Sequence, residues 1–305
     1  MSADGILNVY KPPGWTSFDV VRVVRRGTGA RRVGHAGTLD PAAEGVLPIC
    51  VGQATRVVEY LLDAGKRYRA RIRLGVVTDT YDGEGAVVRT GDPSGVTRQM
   101  VEDVLPSFAG EISQTPPAFS AVKHEGTPLY RLARSGKPAE APPRQVRVYS
   151  ISLLAFEPPT FTIEVESGRG VYLRTLAYDL GERLGCGAHL EQLERLAVGP
   201  FDARCSVTMG ELQQAFEDGT WEELLYPLGS VLLDRYAAIL GEETREWAAH
   251  GRAIELTPLD AAKAASVAEG TLCRAYSQEG VLVALLRREG NGFSWRPEKV
   301  FRPPQ

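Results

Sequence analysis

Between residues 67 and 74 the chain alternates without a break. Arg67, Arg69, Arg71 and Arg73 take one set of positions, and Tyr68, Ala70, Ile72 and Leu74 take the other. A period of two is that of a β-strand, whose successive side chains point to opposite faces. The segment predicts a strand with four arginines on one face and Tyr68 turned inward with the apolar set. Phe161, Ile163 and Val165 repeat the pattern, Ile6 to Tyr10 predicts another short strand, and Val46 to Val51 is a short buried run. Lys11-Pro12-Pro13-Gly14-Trp15 is turn chemistry. Helical spacing then takes over. Thr16 and Asp19 form a capping-box pair ahead of Phe18, Val20, Val21, Val23 and Val24, and Gly27 and Gly29 end that helix. Further helices are predicted from Gln53 to Leu62, from near Tyr172 after the loop Ser167-Gly168-Arg169-Gly170, and around Glu242 to Ala249.

Two regions break this rhythm. Residues 113–145 are rich in proline, glycine and basic side chains and read as an insertion or mobile arm. Past Val231, short runs near Thr271–Tyr276, Val281–Arg288 and Phe293–Trp295 are separated by glycines, which predicts a small β-rich second domain. The expected organisation is an α/β (α+β) domain over 1–232 carrying the 113–145 arm, then a β-rich domain over 233–305. A chain of 305 residues suits one large and one small domain.

Composition, 43% hydrophobic and 24% charged, is that of a globular protein. No apolar run approaches the roughly 18 residues that cross a bilayer. The first five residues lack the basic and apolar parts of a signal peptide. Cys50, Cys186, Cys205 and Cys273 are widely separated, which argues against a zinc site or disulfide framework and for a cytoplasmic protein. Net charge is −3, but it is unevenly spread: residues 1–75 carry +6, residues 123–147 carry +4 and residues 211–245 carry −6. Local potential, not the total, steers a polyanion, so the basic segments fit a nucleic-acid surface, and equally arginines that merely solvate a face.

The chemistry concentrates in Gly34-His35-Ala36-Gly37-Thr38-Leu39-Asp40-Pro41. Two glycines and a proline make a shaped loop that a ligand can approach closely. A buried Asp40 needs a partner, and Arg174 of Gly170-Val171-Tyr172-Leu173-Arg174-Thr175 could supply it, keeping the carboxylate ionised as suits a nucleophile. There is no G-x-S-x-G, Walker A or H-E-x-x-H, and the four histidines lack ligand spacing.

The Gly34–Pro41 stretch, continued through Glu44-Gly45-Val46-Leu47-Pro48, closely resembles the signature of the TruB-type tRNA pseudouridine synthases. The resemblance continues in order through Gly5-Ile6-Leu7 with Lys11-Pro12-Pro13-Gly14, Lys66-Arg67-Tyr68, Thr78-Asp79-Thr80-Tyr81-Asp82, the run Pro116 to Lys123, Gly126 to Arg134, Gly170 to Thr175 and Leu193 to Phe201. The tail from about Leu240 to Phe301 is similar, more loosely, to PUA-like RNA-binding domains. The resemblance implies a pseudouridine synthase fold: a mixed, largely antiparallel sheet with flanking helices, plus a PUA-like domain. It implies an isomerase that turns uridine 55 of the tRNA T-loop into pseudouridine without metal or other cofactor, after flipping the base; a monomer is expected because no heptad or swapped element is evident in the sequence.

By the same resemblance Asp40, Tyr68 and Arg174 are catalytic. Tyr68 stacks on the flipped uracil, His35 fills the vacated stack, Leu196 lines the pocket, Lys11 contacts the RNA backbone, and Asp79 holds the site or a neighbouring nucleotide. Whether Asp40 adds to C6, attacks C1′ or assists a glycal-like elimination stays open. A pure RNA-binding protein would need the arginine strand but not Asp40, Tyr68 and Arg174 together. A guide-dependent synthase acting on another RNA is the alternative within enzymes.

Overall fold

A computed structural model of the chain describes residues 4–302 apart from 121, 137, 138, 140, 257–266, 291 and 292. Ala121 of the Pro116–Lys123 run, parts of the arm and the 257–266 stretch of the tail therefore lie outside the described residues. β1 (Gly5–Lys11) leads into α1 (Ser17–Thr28), which has the predicted reciprocal capping box between Thr16 and Asp19 and a left-handed Gly29 at its end. β2 (Val33–His35) and β3 (Glu44–Val51) follow, so Gly34 and His35 close a strand and only the remainder of the expected loop is irregular. The predicted 53–62 helix divides. Gly52–Val57 is a 3-10 turn and α2 is confined to Val58–Asp63, because β-branched Thr55, Val57 and Val58 weaken the α-helical option.

β4 (Lys66–Leu74) is the alternating strand, its even positions buried. The chain continues through the hairpin β5 (Val76–Thr78) and β6 (Val87–Thr90), then α3 (Arg98–Val104) and β7 (Gly110–Gln114). Between β7 and β10 (Arg144–Glu157) lies the arm, with β8 (Lys123–His124), β9 (Thr127–Pro128) and α4 (Leu129–Arg134). Its ends are shorter than expected, since residues 113, 114, 144 and 145 are paired sheet. β11 (Thr160–Ser167), α5 (Leu173–Arg183), β12 (Ala188–Val198), β13 (Phe201–Asp202), α6 (Met209–Asp218) and β14 (Leu225–Tyr226) complete the larger unit.

These strands form a ten-stranded sheet with the path β14-β1-β3-β12-β4-β11-β10-β7. It is antiparallel except where β3 and β12 run parallel. On the Tyr68 side of β4, α5 and α3 cover a core that includes Ile72, Val101, Phe161, Ile163, Leu176 and Leu180. α1 and α6 pack around β1 and β3 through Val20, Val24, Leu47, Ile49 and Leu212. The tail forms β15 (Tyr236–Ile239), α7 (Glu242–Ala249), β16 (Ile254–Glu255), β17 (Leu272–Tyr276), β18 (Leu282–Arg288) and β19 (Ser294–Val300). Its five-stranded sheet, β15-β17-β18-β19-β16, has its own core around Cys273, Ala284, Leu286 and Trp295. Leu285 and Phe301 join a third cluster with Ile6, Val46, Cys50 and Val57 of the larger unit. Polar contacts line that seam: Lys299 Nζ donates to Arg56 O at 2.6 Å, Tyr60 Oη to Glu298 at 2.9 Å, and Gln53 Nε2 to Arg302 O at 2.8 Å. Among the described residues no helix is long and apolar enough to cross a membrane.

Candidate active site

Asp40 sits in the loop between β2 and β3, and the loop is tied down along its length. Ser17 Oγ accepts from Leu39 N at 2.9 Å and donates to Leu39 O at 3.1 Å. Lys11 Nζ donates to Pro41 O at 3.2 Å, and Gly14 N to Pro41 O at 2.8 Å. Gly45 ends the loop at φ +109°, where a Cβ would stand 2.3 Å from the Arg195 carbonyl. Only glycine fits both that backbone and that approach of β12.

Arg174 comes from the first turn of α5. Gln114 holds the start of that helix by accepting from Tyr172 N at 3.0 Å and donating to Tyr172 O at 3.3 Å. The guanidinium reaches Asp40 Oδ2 at 3.0 Å through Nε and Asp82 Oδ2 at 3.5 Å through Nη1. It also donates to Phe119 O of the arm at 2.8 Å and to Thr80 O at 3.3 Å. Its side chain is 6% exposed while that of Asp40 is 45% exposed, so the cation lies beneath a carboxylate that stays open to solvent. Burial among protein groups raises the Asp40 pKa above the ordinary carboxylate range; Arg174 pulls it down, Asp82 pushes it up and Lys11 pulls it down. The net direction is opposite to that expected from the Asp–Arg pair alone, because one guanidinium shared by two carboxylates does not offset desolvation.

Tyr68 is buried on the α5 side of β4. It is the cross-strand partner of Arg195 on β12, so the two side chains share one face of the sheet. His35 lies at the end of β2, half-buried, and burial followed by the nearby Arg195 charge lowers its pKa, which favours a neutral imidazole. Among the described residues no cluster of three or more His, Cys, Asp or Glu side chains is arranged to hold a metal ion.

Comparison with known proteins fits this geometry. The family model described as TruB family pseudouridylate synthase, N-terminal domain, matches residues 25–173, and the tRNA pseudouridylate synthase B C-terminal domain matches residues 174–234. A protein named tRNA pseudouridine synthase B from Dehalococcoides mccartyi is 44% identical over 98% of this chain and 96% of its own. The chain belongs to the TruB family of pseudouridylate synthases. Its enzyme class is accordingly that of an isomerase. A relative of the same name from Syntrophotalea carbinolica is 48% identical over 69% of each chain. Among solved structures, a Cbf5-Nop10-Gar1 complex matches with TM-score 0.74 and 29% identity, over 98% of this chain and 85% of that one. The TruB-type fold, with its mixed, largely antiparallel sheet and β-rich C-terminal unit, is thus the one expected.

Several site residues lie elsewhere than their TruB-like motifs suggested. Lys11 is fully buried, its ammonium held by Pro12 O at 2.9 Å, Trp15 O at 2.7 Å and Pro41 O at 3.2 Å. Burial drops its pKa to about 8 although Asp40 opposes this. It buttresses the Asp40 loop and has no free reach to an RNA backbone. Asp79 is exposed and accepts from Ala86 N at 2.9 Å, closing its own turn. Asp82, three residues later, is the one that meets Arg174. Tyr81 between them takes a left-handed φ of +62° and stacks on Tyr178 at 4.2 Å, which turns the chain there. Leu196 falls in a bulge of β12 and lies with Glu194, Arg67, Arg69 and Asp202 on the arginine side of the sheet. Leu193, paired with Ala70, packs on the Tyr68 side.

The arginine face itself is no open basic cleft. Arg67 pairs with Asp202 at 2.9 Å, Arg69 with Glu194 at 3.1 Å, and Arg71 and Arg73 with Glu191 at 2.9 and 3.1 Å. The face lies opposite the one that α5, and so Arg174 and Asp40, occupies.

Proposed function

We propose that this protein isomerises uridine 55 in the T-loop of tRNA to pseudouridine, using Asp40 at the sugar–base bond of a nucleotide flipped out of the loop. The observation that carries this reading is the Asp40–Arg174 pair, an accessible carboxylate held at 3.0 Å by a guanidinium buried below it. The reaction breaks N1–C1′, rotates the uracil and joins C5 to C1′; C5 gives up its proton and N1 takes one up, so product and substrate are isomers and nothing is oxidised or reduced. Asp40 fits the step at C1′ or C6 because a fixed cation orients it while one side stays open to substrate. Tyr68 would stack on the extruded base, with Leu193 as its apolar neighbour. A neutral His35 suits the stack left vacant, where a charged ring would pay for desolvation. Extrusion costs a few kcal/mol, offset by contacts to the folded T-arm.

In this reading residues 1–232 form the catalytic domain, the arm closes on the T-arm, and the PUA-like unit over 233–305 extends contact along the RNA. The protein acts alone in the cytoplasm as a monomer. The test is to incubate the protein with an unmodified tRNA transcript and map pseudouridine by chemical sequencing. Modification at position 55 is expected in wild type. It should be lost in Asp40→Asn while tRNA binding stays within a few-fold, since many phosphate contacts carry affinity. A transcript left unmodified at 55 overturns the substrate assignment. Turnover by Asp40→Asn above about a hundredth of wild type removes Asp40 from the chemistry.

A further inference from the structure

Arg195 is among the largest side chains wholly enclosed in the protein, at 1% exposure. It has no carboxylate partner among the described residues. A buried cation without a counter-ion is costly, and here each nitrogen of the fork meets a backbone carbonyl. Nε donates to Val46 O at 2.7 Å and Nη2 to Gly37 O at 3.0 Å, with Thr38 O at 3.5 Å from Nη1. Those carbonyls belong to the two flanks of the loop that carries Asp40. On the β4 side the guanidinium's neighbour is Tyr68, its direct cross-strand partner. The register fixes this arrangement, since Arg195 and Tyr68 are direct cross-strand partners on β12 and β4, while Arg195 is also paired with Gly45 on β3.

The geometry points to Arg195 as a positioning residue that sets the Tyr68 hydroxyl against the Asp40 loop, so that ring and carboxylate approach the base in one fixed relation. The inference rests on the proposal that Tyr68 and Asp40 flank the target uridine. A lysine at this position keeps the charge and one carbonyl bond but cannot reach the loop and Tyr68 together. Arg195→Lys should therefore lower single-turnover pseudouridine formation about 10- to 100-fold, as displacements of order 1 Å do. Affinity for tRNA should change less than about threefold, because Arg195 touches no solvent.

A double-mutant cycle separates positioning from simple support of the fold. In a Tyr68→Phe background the hydroxyl that Arg195 places is already gone, so Arg195→Lys should cost less than about threefold in rate. A wild-type rate for Arg195→Lys, or the same loss in both backgrounds, overturns the inference. Thermal unfolding checks that the variants fold. If Arg195→Lys does not, Tyr68→Phe alone decides: it takes a partner from the buried guanidinium and should lower the urea midpoint, and an unchanged midpoint overturns the contact. Wild-type protein on the same transcript is the control. Its failure to form pseudouridine would defeat the functional assignment, whereas its success leaves the variants to judge Arg195.

Discussion

Replacing Arg174 by glutamine removes the one cation that holds both Asp40 and Asp82, and the consequence is legible in pH. In the proposed function Asp40 acts in its ionised form, so activity should show an acid limb governed by its protonation. At the observed 3.0 Å, the Coulomb attraction is about 1.4 kcal/mol with a water-like dielectric and about 5.5 kcal/mol with an effective dielectric of 20. The Asp40 side chain is 45% exposed, which places the effective value toward the lower end, roughly 2 kcal/mol. The acid limb of Arg174→Gln should then move about one to two pH units upward. Asp82→Asn removes the neighbouring carboxylate that raises the Asp40 pKa, so its limb should move downward. The assay is single-turnover release of label from a tRNA transcript tritiated at uridine C5, measured from pH 5 to 9. Removing the buried guanidinium also takes the donor from the Phe119 and Thr80 carbonyls and from Asp82, so unfolding is followed at each pH. Limbs that stay put, or that shift in the same direction in both variants, would refute this electrostatic account.

The salt-bridged arginine face leads to a contrasting expectation. Arg71→Gln with Arg73→Gln should change tRNA affinity less than about twofold, and the log–log salt slope by less than about one; a loss of one unit or more would mean phosphate contact. Lys11→Met leaves Pro12, Trp15 and Pro41 carbonyls without their shared donor and should lower stability by about 1–3 kcal/mol in urea unfolding. With Lys11 a buttress, the variant's tRNA salt slope should match wild type.

How far the chain could be read from its letters depended on the range of each interaction. The strand at 67–74, the inward Tyr68 and the Thr16 capping box are set by neighbours within a few residues, and periodicity reports them directly. The partners of the arginines are not local: Arg69 meets Glu194, 125 positions away, and Arg67 meets Asp202. Alternation located the charged face but was silent on what neutralises it. Asp79 and Asp82 share one short motif, and which of them meets Arg174 follows from the backbone reversal at Tyr81. Leu196 was displaced by a β-bulge, which shifts the face on which a side chain emerges, and no pattern of hydrophobicity marks a bulge. Arg195 follows Glu194 within the otherwise apolar stretch Leu193 to Val198, and nothing in that pattern tells which of the two charges is buried.

The seam between the two sheets bears on how the protein can be taken apart. Leu285 and Phe301 fill a cluster otherwise built from Ile6, Val46, Cys50 and Val57, and Arg56 lies over the Phe301 ring at 5.2 Å. A chain ended after Leu232 would bare that cluster directly behind β1 and β3, the second of which anchors one end of the Asp40 loop. Heating the intact protein should give a single calorimetric transition instead of two. Truncation would therefore report on folding before it reported on RNA. The share of affinity owed to the five-stranded sheet is measurable only by substitutions on its outer surface, with the joint left whole.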